Sequence, residues 1–347
     1  MSDKIDIKSL TLPELCQHME GMGEKKFRAT QIYQWLHVKC IRAFDEMSNI
    51  SKALLSKLSL DYELNTLEIV KVLKSEIDGT IKFLFKLSDG NIIESVFMRY
   101  HHGNSVCISS QVGCKMGCKF CASTIDGCVR SLKPSEMLDQ IYAITRYTGE
   151  RISNVVVMGS GEPLDNYDSL IRFIQILTDE NGLNISQRNI TVSTCGLVDK
   201  IRQLAKENLA ITLAISLHAS NDEKRKKIMP IANRYSLNEL IDAVKYYYDV
   251  TKRRITFEYS LIAGVNDKDE DAKELAKLLQ GLNAHINLIP VNPIAERDFK
   301  RPVRNDVEKF AKKLSDYKIN STIRREMGAD INGACGQLRR SEIGKVK

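Results

Sequence analysis

The sequence predicts an α/β fold built on a parallel sheet, with a small N-terminal helical domain and a β-meander ahead of it. Three textures predict this. Helical periodicity runs through the first 60 residues, two Asp-Gly turns separate β-rich runs over residues 66–99, and strands alternate with helices in six successive units from residue 104 onward.

In the first segment, Leu10, Leu12 and Leu15, then Phe27, Ile32, Tyr33 and Leu36, recur at helical spacing around "GEKKFRATQIYQWLH". The next run, "IDGTIKFLFKLSDGNIIESVFM", carries Asp78-Gly79 and Asp89-Gly90, dipeptides that favour tight hairpin turns. Beyond it, "NSVCIS", "ISNVVVMG", "NITVST", "AITLAISLH", "RITFEYSLIAG" and "HINLIP" read as strands. Amphipathic helices fill the gaps, such as "PSEMLDQIYAITRY", where Met137, Leu138, Ile141 and Ile144 share a face. Repeated β/α units require right-handed crossovers, hence a doubly wound sheet or a closed or partial barrel. There is no internal repeat and no low-complexity segment.

A hydrophobic content of 43% with 27% charged residues is that of a folded globular chain rather than a disordered one. No apolar run approaches the roughly 18 residues of a membrane span, and "MSDKIDIKSL" lacks the layout of a secretion signal, so the expected location is the cytoplasm. In that reducing compartment nine cysteines remain thiols, and a tight group of them suggests metal binding or catalysis. The net charge of +7 permits a polyanionic partner. The run Glu223–Lys227 reads as a solvated face.

The informative stretch is "SSQVGCKMGCKFCAST". Cys114, Cys118 and Cys121 follow the first strand of the β/α series and precede its first helix, where chemistry sits in parallel β/α folds. Closed zinc sites take four ligands, whereas three thiolates leave one corner of a [4Fe-4S] cube open for a substrate or cofactor. A zinc knuckle borrowing Cys107, Cys128 or a histidine is the alternative.

A CxxxCxxC loop in this position resembles the radical S-adenosylmethionine (SAM) superfamily. More narrowly, "CISSQVGCKMGCKFCAST", "NVVVMGSGEPLDN", "NITVSTCGLV", "AISLHASND", "NLIPVNP" and "TIRREMGADINGACGQL" resemble the RlmN family of dual-specificity RNA methyltransferases, whose close relative is the Cfr group. The likeness spans essentially the whole chain. It departs at Ser160, where the family usually has Met, at Gly333, where it has Ala, and in the residues after Cys121. None of these removes an implied ligand, although Ser160 would alter packing beside the SAM carboxylate.

The resemblance implies a partial (β/α)6 radical SAM barrel and four segments: a helical accessory domain over residues 1–60, a meander extension over 61–100, the core over 101–330, and a C-terminal segment over 331–347. It implies Cys114, Cys118 and Cys121 as cluster ligands, and Gly161, Glu162, Ser193, Ser216, Leu217, His218 and Asn292 as SAM contacts. It further implies an adenine carbon-2 methyltransferase using two SAM per turnover. Cys335 would accept a methyl group and carry it, as a radical, to the ring carbon. Glu94 would remove the ring proton, and Cys107 would resolve the protein–RNA link through a transient disulfide with Cys335. Glycines Gly333 and Gly336 would give Cys335 freedom of approach. The implied partners are 23S rRNA, tRNA and an electron donor such as flavodoxin or ferredoxin, with no membrane and a monomeric enzyme. Cys16, Cys40, Cys128 and Cys195 read as packing residues.

Two alternatives stay open. One is the same chemistry at carbon 8, as in the Cfr group, against which Pro163 leans. The other is a non-catalytic, metal-containing RNA-binding protein using Lys25, Lys26, Arg28, Tyr33 and Trp35 as its RNA surface. The N-terminal helices are expected to contribute electrostatic RNA contacts, and deleting residues 1–60 to spare cluster assembly.

Overall fold

The computed structural model describes residues 4–338; residues 339–347 of the expected C-terminal segment, and 1–3 of the N-terminal one, lie outside the described residues. Two short strands, β1 (Ile5–Asp6) and β2 (Tyr62–Glu63), pair in parallel and bracket helices α1 (Leu12–Gly21), α2 (Lys26–His37) and α3 (Lys52–Asp61). The start of α1 is fixed by Glu14, whose carboxylate accepts from the Thr11 amide and hydroxyl at 2.8 and 2.9 Å.

This helical unit is locked to α4 (Pro134–Thr148) by a fully buried ion pair, Lys8 Nζ to Asp139 Oδ1 at 2.8 Å. Lys8 also donates to the Asn65 carbonyl, and Asp139 accepts the Leu67 amide at 2.7 Å. Nearby, His37 Nδ1 meets the Tyr142 hydroxyl at 2.7 Å. Removing one member of a buried pair strands the other charge, so Lys8→Met should cost about 3 kcal/mol or more, read as a lowered urea midpoint. A loss under about 1 kcal/mol would show that Arg146, 3.5 Å from Asp139, suffices as its partner. By the same argument, deleting residues 1–60 would strand Asp139 and uncover α4. Such a truncation would therefore lower stability even where the cluster loop itself is kept.

The Asp-Gly turns do form hairpins. Strands β3 (Glu68–Lys74), β4 (Ile81–Lys86) and β5 (Ile92–Met98) are antiparallel, and Gly79 and Gly90 take left-handed φ values of 72° and 83°. The meander does not stand apart: β5 pairs antiparallel with β6 (Asn104–Cys107), so it continues the main sheet.

Beyond β6 comes a separate two-stranded ladder, β7 (Gln111–Gly113) with β8 (Cys128–Ser131). The parallel series then runs through β9 (Ile152–Val157), β10 (Ile190–Thr194), β11 (Thr212–Ser216), β12 (Ile255–Leu261), β13 (Ala284–Pro290) and β14 (Ser321–Ile323). Their order in the sheet is their order in the chain, with no point at which the winding reverses. That excludes a doubly wound sheet and leaves a barrel, and since β3 and β14 stay unpaired with each other the barrel is partial. The six expected strands are all present; β14 adds a three-residue seventh parallel strand.

Helices α5 (Tyr167–Thr178), α6 (Val198–Ala205), α7 (Asp222–Ile228), α8 (Leu237–Thr251), α9 (Asp269–Leu278) and α10 (Arg304–Asp316) are the crossovers. The solvated reading of Glu223–Lys227 fails at one residue. Arg225 is fully buried and donates to the carbonyls of Cys195 at 2.7 Å and Leu217 at 3.3 Å, tying the loops after β10 and β11 together. Among the described residues, no helix is long and apolar enough to cross a membrane.

Candidate active site

The carboxyl ends of β9 to β13 surround a cavity of about 180 Å3 that opens beside the cysteine loop. The loop's shape is set by its flanks. Gly113, just ahead of Cys114, has φ +78°, and an added Cβ would lie 2.0 Å from the Gly127 carbonyl oxygen, which itself accepts the Cys114 amide at 2.9 Å. Thr124 closes the far side, its hydroxyl donating to the carbonyls of Cys118 and Cys121. Cys114, Cys118 and Cys121 all line the cavity, the first two buried and the third half-buried.

Burial pushes all three thiols upward, Cys114 to about 12, and their mutual repulsion as thiolates adds to the rise at Cys114 and Cys118. Such a set becomes stable as thiolates when cations lie among them. Buried Arg225 behind the loop pulls Cys118 the other way. No three His, Cys, Asp or Glu side chains among the described residues converge tightly enough for a single ion. The thiols instead face one cavity from three points, which fits a cluster whose irons each take one cysteine.

The C-terminal segment docks on the residues that follow Cys121 and completes the cavity wall there. Ala122 N–H donates to the Gly336 carbonyl at 2.8 Å, Ser123 Oγ to the Leu338 carbonyl at 2.8 Å, and Asn292 Nδ2 to the Cys335 carbonyl at 3.0 Å. The meander holds the same segment: Asp78 accepts the Gly328 amide, Asp330 the Glu76 amide, and Lys82 reaches the Asn332 carbonyl. Of the two glycines flanking Cys335, Gly336 alone is left-handed, at φ +82°.

Cys335 and Cys107 line this one cavity, and all nine cysteines are free thiols, so the cross-link implied by the resemblance is not formed in this structure. Cys335 is an exposed residue at the cavity mouth, and the crowding of its sulfur by the cavity wall pushes the thiol up to about 11, opposed by Arg324 and reinforced by Glu258 and Cys121. Cys107 rises to about 12 through burial and then through Cys335, again opposed by Arg324. The thiolate is the nucleophile, and below a raised pKa its fraction grows about tenfold per pH unit. Alkylation of Cys335 in iron-free protein should therefore climb about tenfold per unit over roughly pH 7 to 9, read by mass spectrometry of its peptide. A plateau near pH 8 would contradict this environment.

The implied SAM contacts divide. Glu162 is buried on the cavity wall, its oxygens accepting the Leu164 amide at 3.0 Å and the Cys195 amide at 2.8 Å, and burial raises its pKa. Ser193 and Ser216 face each other at 3.5 Å across β10 and β11. His218, with φ +57°, accepts the Ser260 amide at Nδ1 and is held neutral by burial and Arg225, its pKa lowered to about 3; its other ring nitrogen is then a donor. Asn292 spends Nδ2 on Cys335, and its buried Oδ1 has no hydrogen-bond partner, an acceptor left for a ligand.

Leu217 does not line the cavity; its side chain is fully buried in the core. Gly161 does line it, but the glycines of "MGSGEP" have another duty: a Cβ on Gly159 or Gly161 would come within 2.7 Å of the segment Ile108–Gln111. They permit close chain packing. Ser160, buried, holds the same segment through its backbone, with its carbonyl accepting from Ser110 and Gln111. Glu94 shares the β5 face of cavity-lining Val96 and Met98 but lies deeper, ion-paired to Lys82 at 2.9 Å.

Three cavity residues escaped the sequence reading. Cys195, read as packing, is on the wall. Glu258 is buried, with Oε1 accepting from Asn287 at 2.9 Å and Oε2 without a hydrogen bond, 3.8 Å from Arg324. An acidic residue inside the otherwise apolar "ITFEYSL" was the available signal for Glu258. For Arg324 it was an arginine pair just after a short β-rich run.

Comparison with known proteins bears on this geometry. The Radical SAM superfamily matches residues 108–279, and the ribosomal RNA large subunit methyltransferase N-terminal domain matches residues 5–64. A probable dual-specificity RNA methyltransferase RlmN of Lachnoclostridium phytofermentans is 60% identical over 346 residues, 100% of this chain and 97% of that one. The chain belongs to the RlmN family. A second RlmN relative, from Lachnospira eligens, is 64% identical over 334 residues, 96% of this chain and 95% of its own. The crystal structure of a radical SAM methyltransferase from Sphaerobacter thermophilus superimposes with a TM-score of 0.93 at 42% identity, covering 97% of this chain and 100% of that one. As an RlmN-family member this is a radical SAM RNA methyltransferase, an enzyme of the class that uses a [4Fe-4S] cluster and SAM and acts on RNA.

Proposed function

We propose that the enzyme methylates carbon 2 of an adenosine in the peptidyl-transferase centre of 23S rRNA and of adenosine 37 in some tRNAs, as a cytoplasmic monomer. The observation that carries this reading is the convergence of Cys107, the three cluster cysteines and Cys335 on one cavity, although Cys335 is more than 200 residues from the loop. A binding module has no use for that second thiol pair. The dual specificity named for the relatives supports two RNA substrates.

Cys114, Cys118 and Cys121 would hold the cluster, and Glu162, Ser193, Ser216, His218 and Asn292 would hold SAM, with Gly161 on the same cavity wall and Leu217 in the core behind it. When bound, these groups supply an electron, a methyl group and a carbon radical, which calls for two SAM per turnover and a donor such as flavodoxin or ferredoxin. Cys335 accepts the methyl group as a thiolate, favoured by Arg324, while Asn292 fixes its backbone. Glu94, ion-paired to Lys82, takes the ring proton once addition has made it acidic. The Cys107 thiolate then attacks Cys335 sulfur and breaks its bond to the methylene carbon, which keeps the electron pair, takes a proton and leaves on the RNA as the methyl group; a dithiol reductant then returns both cysteines to thiols.

The test is mass mapping of 23S rRNA and tRNA from cells with and without the protein. Loss of 2-methyladenosine from both RNAs is expected. Loss of 8-methyladenosine instead would assign the carbon-8 chemistry, and unchanged RNA would overturn the substrate assignment.

A further inference from the structure

We propose that the turn joining β5 to β6, Tyr100-His101-His102-Gly103, is a base-stacking platform that holds a nucleotide flanking the target adenosine at the cavity mouth. This rests on the reading of the cavity as the RNA-methylating site.

The turn is a row of rings leading from the cavity wall to solvent. Tyr100 lines the cavity, half-buried, with its hydroxyl 3.6 Å from Met98 sulfur. The His102 ring lies against it at 5.0 Å and 17° from parallel, and His101 meets His102 edge-on at 5.2 Å and 77°. Both histidines are exposed, so neither fills the core.

The turn is also rigid at its base. Gly103 has φ +118°, and a Cβ there would come within 2.8 Å of Ser153. Asn104 donates to Glu150 at 3.0 Å and to the Arg151 carbonyl at 3.1 Å, while Arg99 grips Glu150 at 2.6 and 3.0 Å and the Gly79 carbonyl at 3.2 Å. An exposed aromatic stack on an anchored turn is preorganised to receive a flat ligand. Arg325 lines the same cavity and adds a positive charge suited to phosphates, while Arg301 beside it is ion-paired to Glu326.

The chemistry of the substrate identifies the occupant. An adenine ring carbon can reach thiols set inside the cavity only if the base leaves its stack, which strips a neighbouring base of its partner. An aromatic ring at the mouth replaces that partner, as in recognition of splayed RNA bases generally.

The experiment uses full-length, cluster-loaded protein and a stem-loop RNA with one loop adenosine between purines, alongside the same RNA with abasic sites in place of those purines. His102→Ala should weaken binding of the intact stem-loop on the order of tenfold, and His102→Phe should restore it. On the abasic RNA, wild type and His102→Ala should bind alike. Equal losses from His102→Ala on both RNAs, with wild type methylating the intact stem-loop, would overturn the platform alone. Loss of iron or of RNA-free SAM cleavage in His102→Ala would overturn it too, by making the ring a support of the cavity wall. Wild-type protein that neither binds nor methylates the intact stem-loop would overturn the active-site reading and the platform together.

Discussion

Cys114→Ser, Cys118→Ser and Cys121→Ser should each yield protein without bound iron and without reductive SAM cleavage, both reduced more than about 100-fold. A serine hydroxyl cannot replace a thiolate, so loss of any one of the three sulfurs leaves an iron without its protein ligand. The loop itself should survive each change. Its path is held by Gly113 against Gly127, by Thr124 and by the β7–β8 ladder, none of which uses a sulfur. Far-UV circular dichroism and the urea midpoint of the iron-free variants should therefore match iron-free wild type. Iron and sulfide analysis of anaerobically reconstituted protein is the measurement, and any variant that loads a full cluster would remove that cysteine from the ligand set.

How much of this was legible before the coordinates depended on the range of the signal. The cysteine loop and the strands that carry cavity-lining residues were readable because spacing and alternation are local, and β9 to β13 lie where the β-rich runs predicted. Strand β14 was missed because three residues carry no periodicity. Glu258 and Arg324 were missed because only the pairing of β12 with β13, and of β13 with β14, turns a charged side chain toward a cavity rather than solvent. Arg225 sits in a run of charges whose neighbours are exposed, and nothing in composition tells which of several basic residues on a short helix will be drawn inward by carbonyls from two other loops. The glycines of "MGSGEP" carried the signal of close approach, and the backbone they approach is the segment Ile108–Gln111. Cys335 was found through the family likeness alone. The docking of its segment on Ala122, Ser123 and Asn292 involves contacts up to 215 positions apart, which no sequence pattern encodes.

That docking gives the second large effect its logic, because it brings two thiols with different duties to one cavity. Cys107→Ala keeps the methyl carrier but lacks the resolving sulfur, so protein purified from cells should run partly as a slower band that nuclease collapses to the free chain. Cys335→Ala should show no such band, and neither should the double variant, since without the carrier no link to RNA can form. Glu94→Gln, which keeps the volume beside Lys82 while removing the base, should also accumulate the adduct, because Cys107 can release the RNA only after the ring proton has gone. Denaturing electrophoresis with and without ribonuclease separates these outcomes, and iron content measured in parallel guards against simple loss of the cluster. An adduct that persists in Cys335→Ala would move the carrier role to another residue. Normal turnover in Cys107→Ala would require a different thiol to reach Cys335, and Cys121, whose charge already raises the Cys335 pKa, is the one the geometry offers.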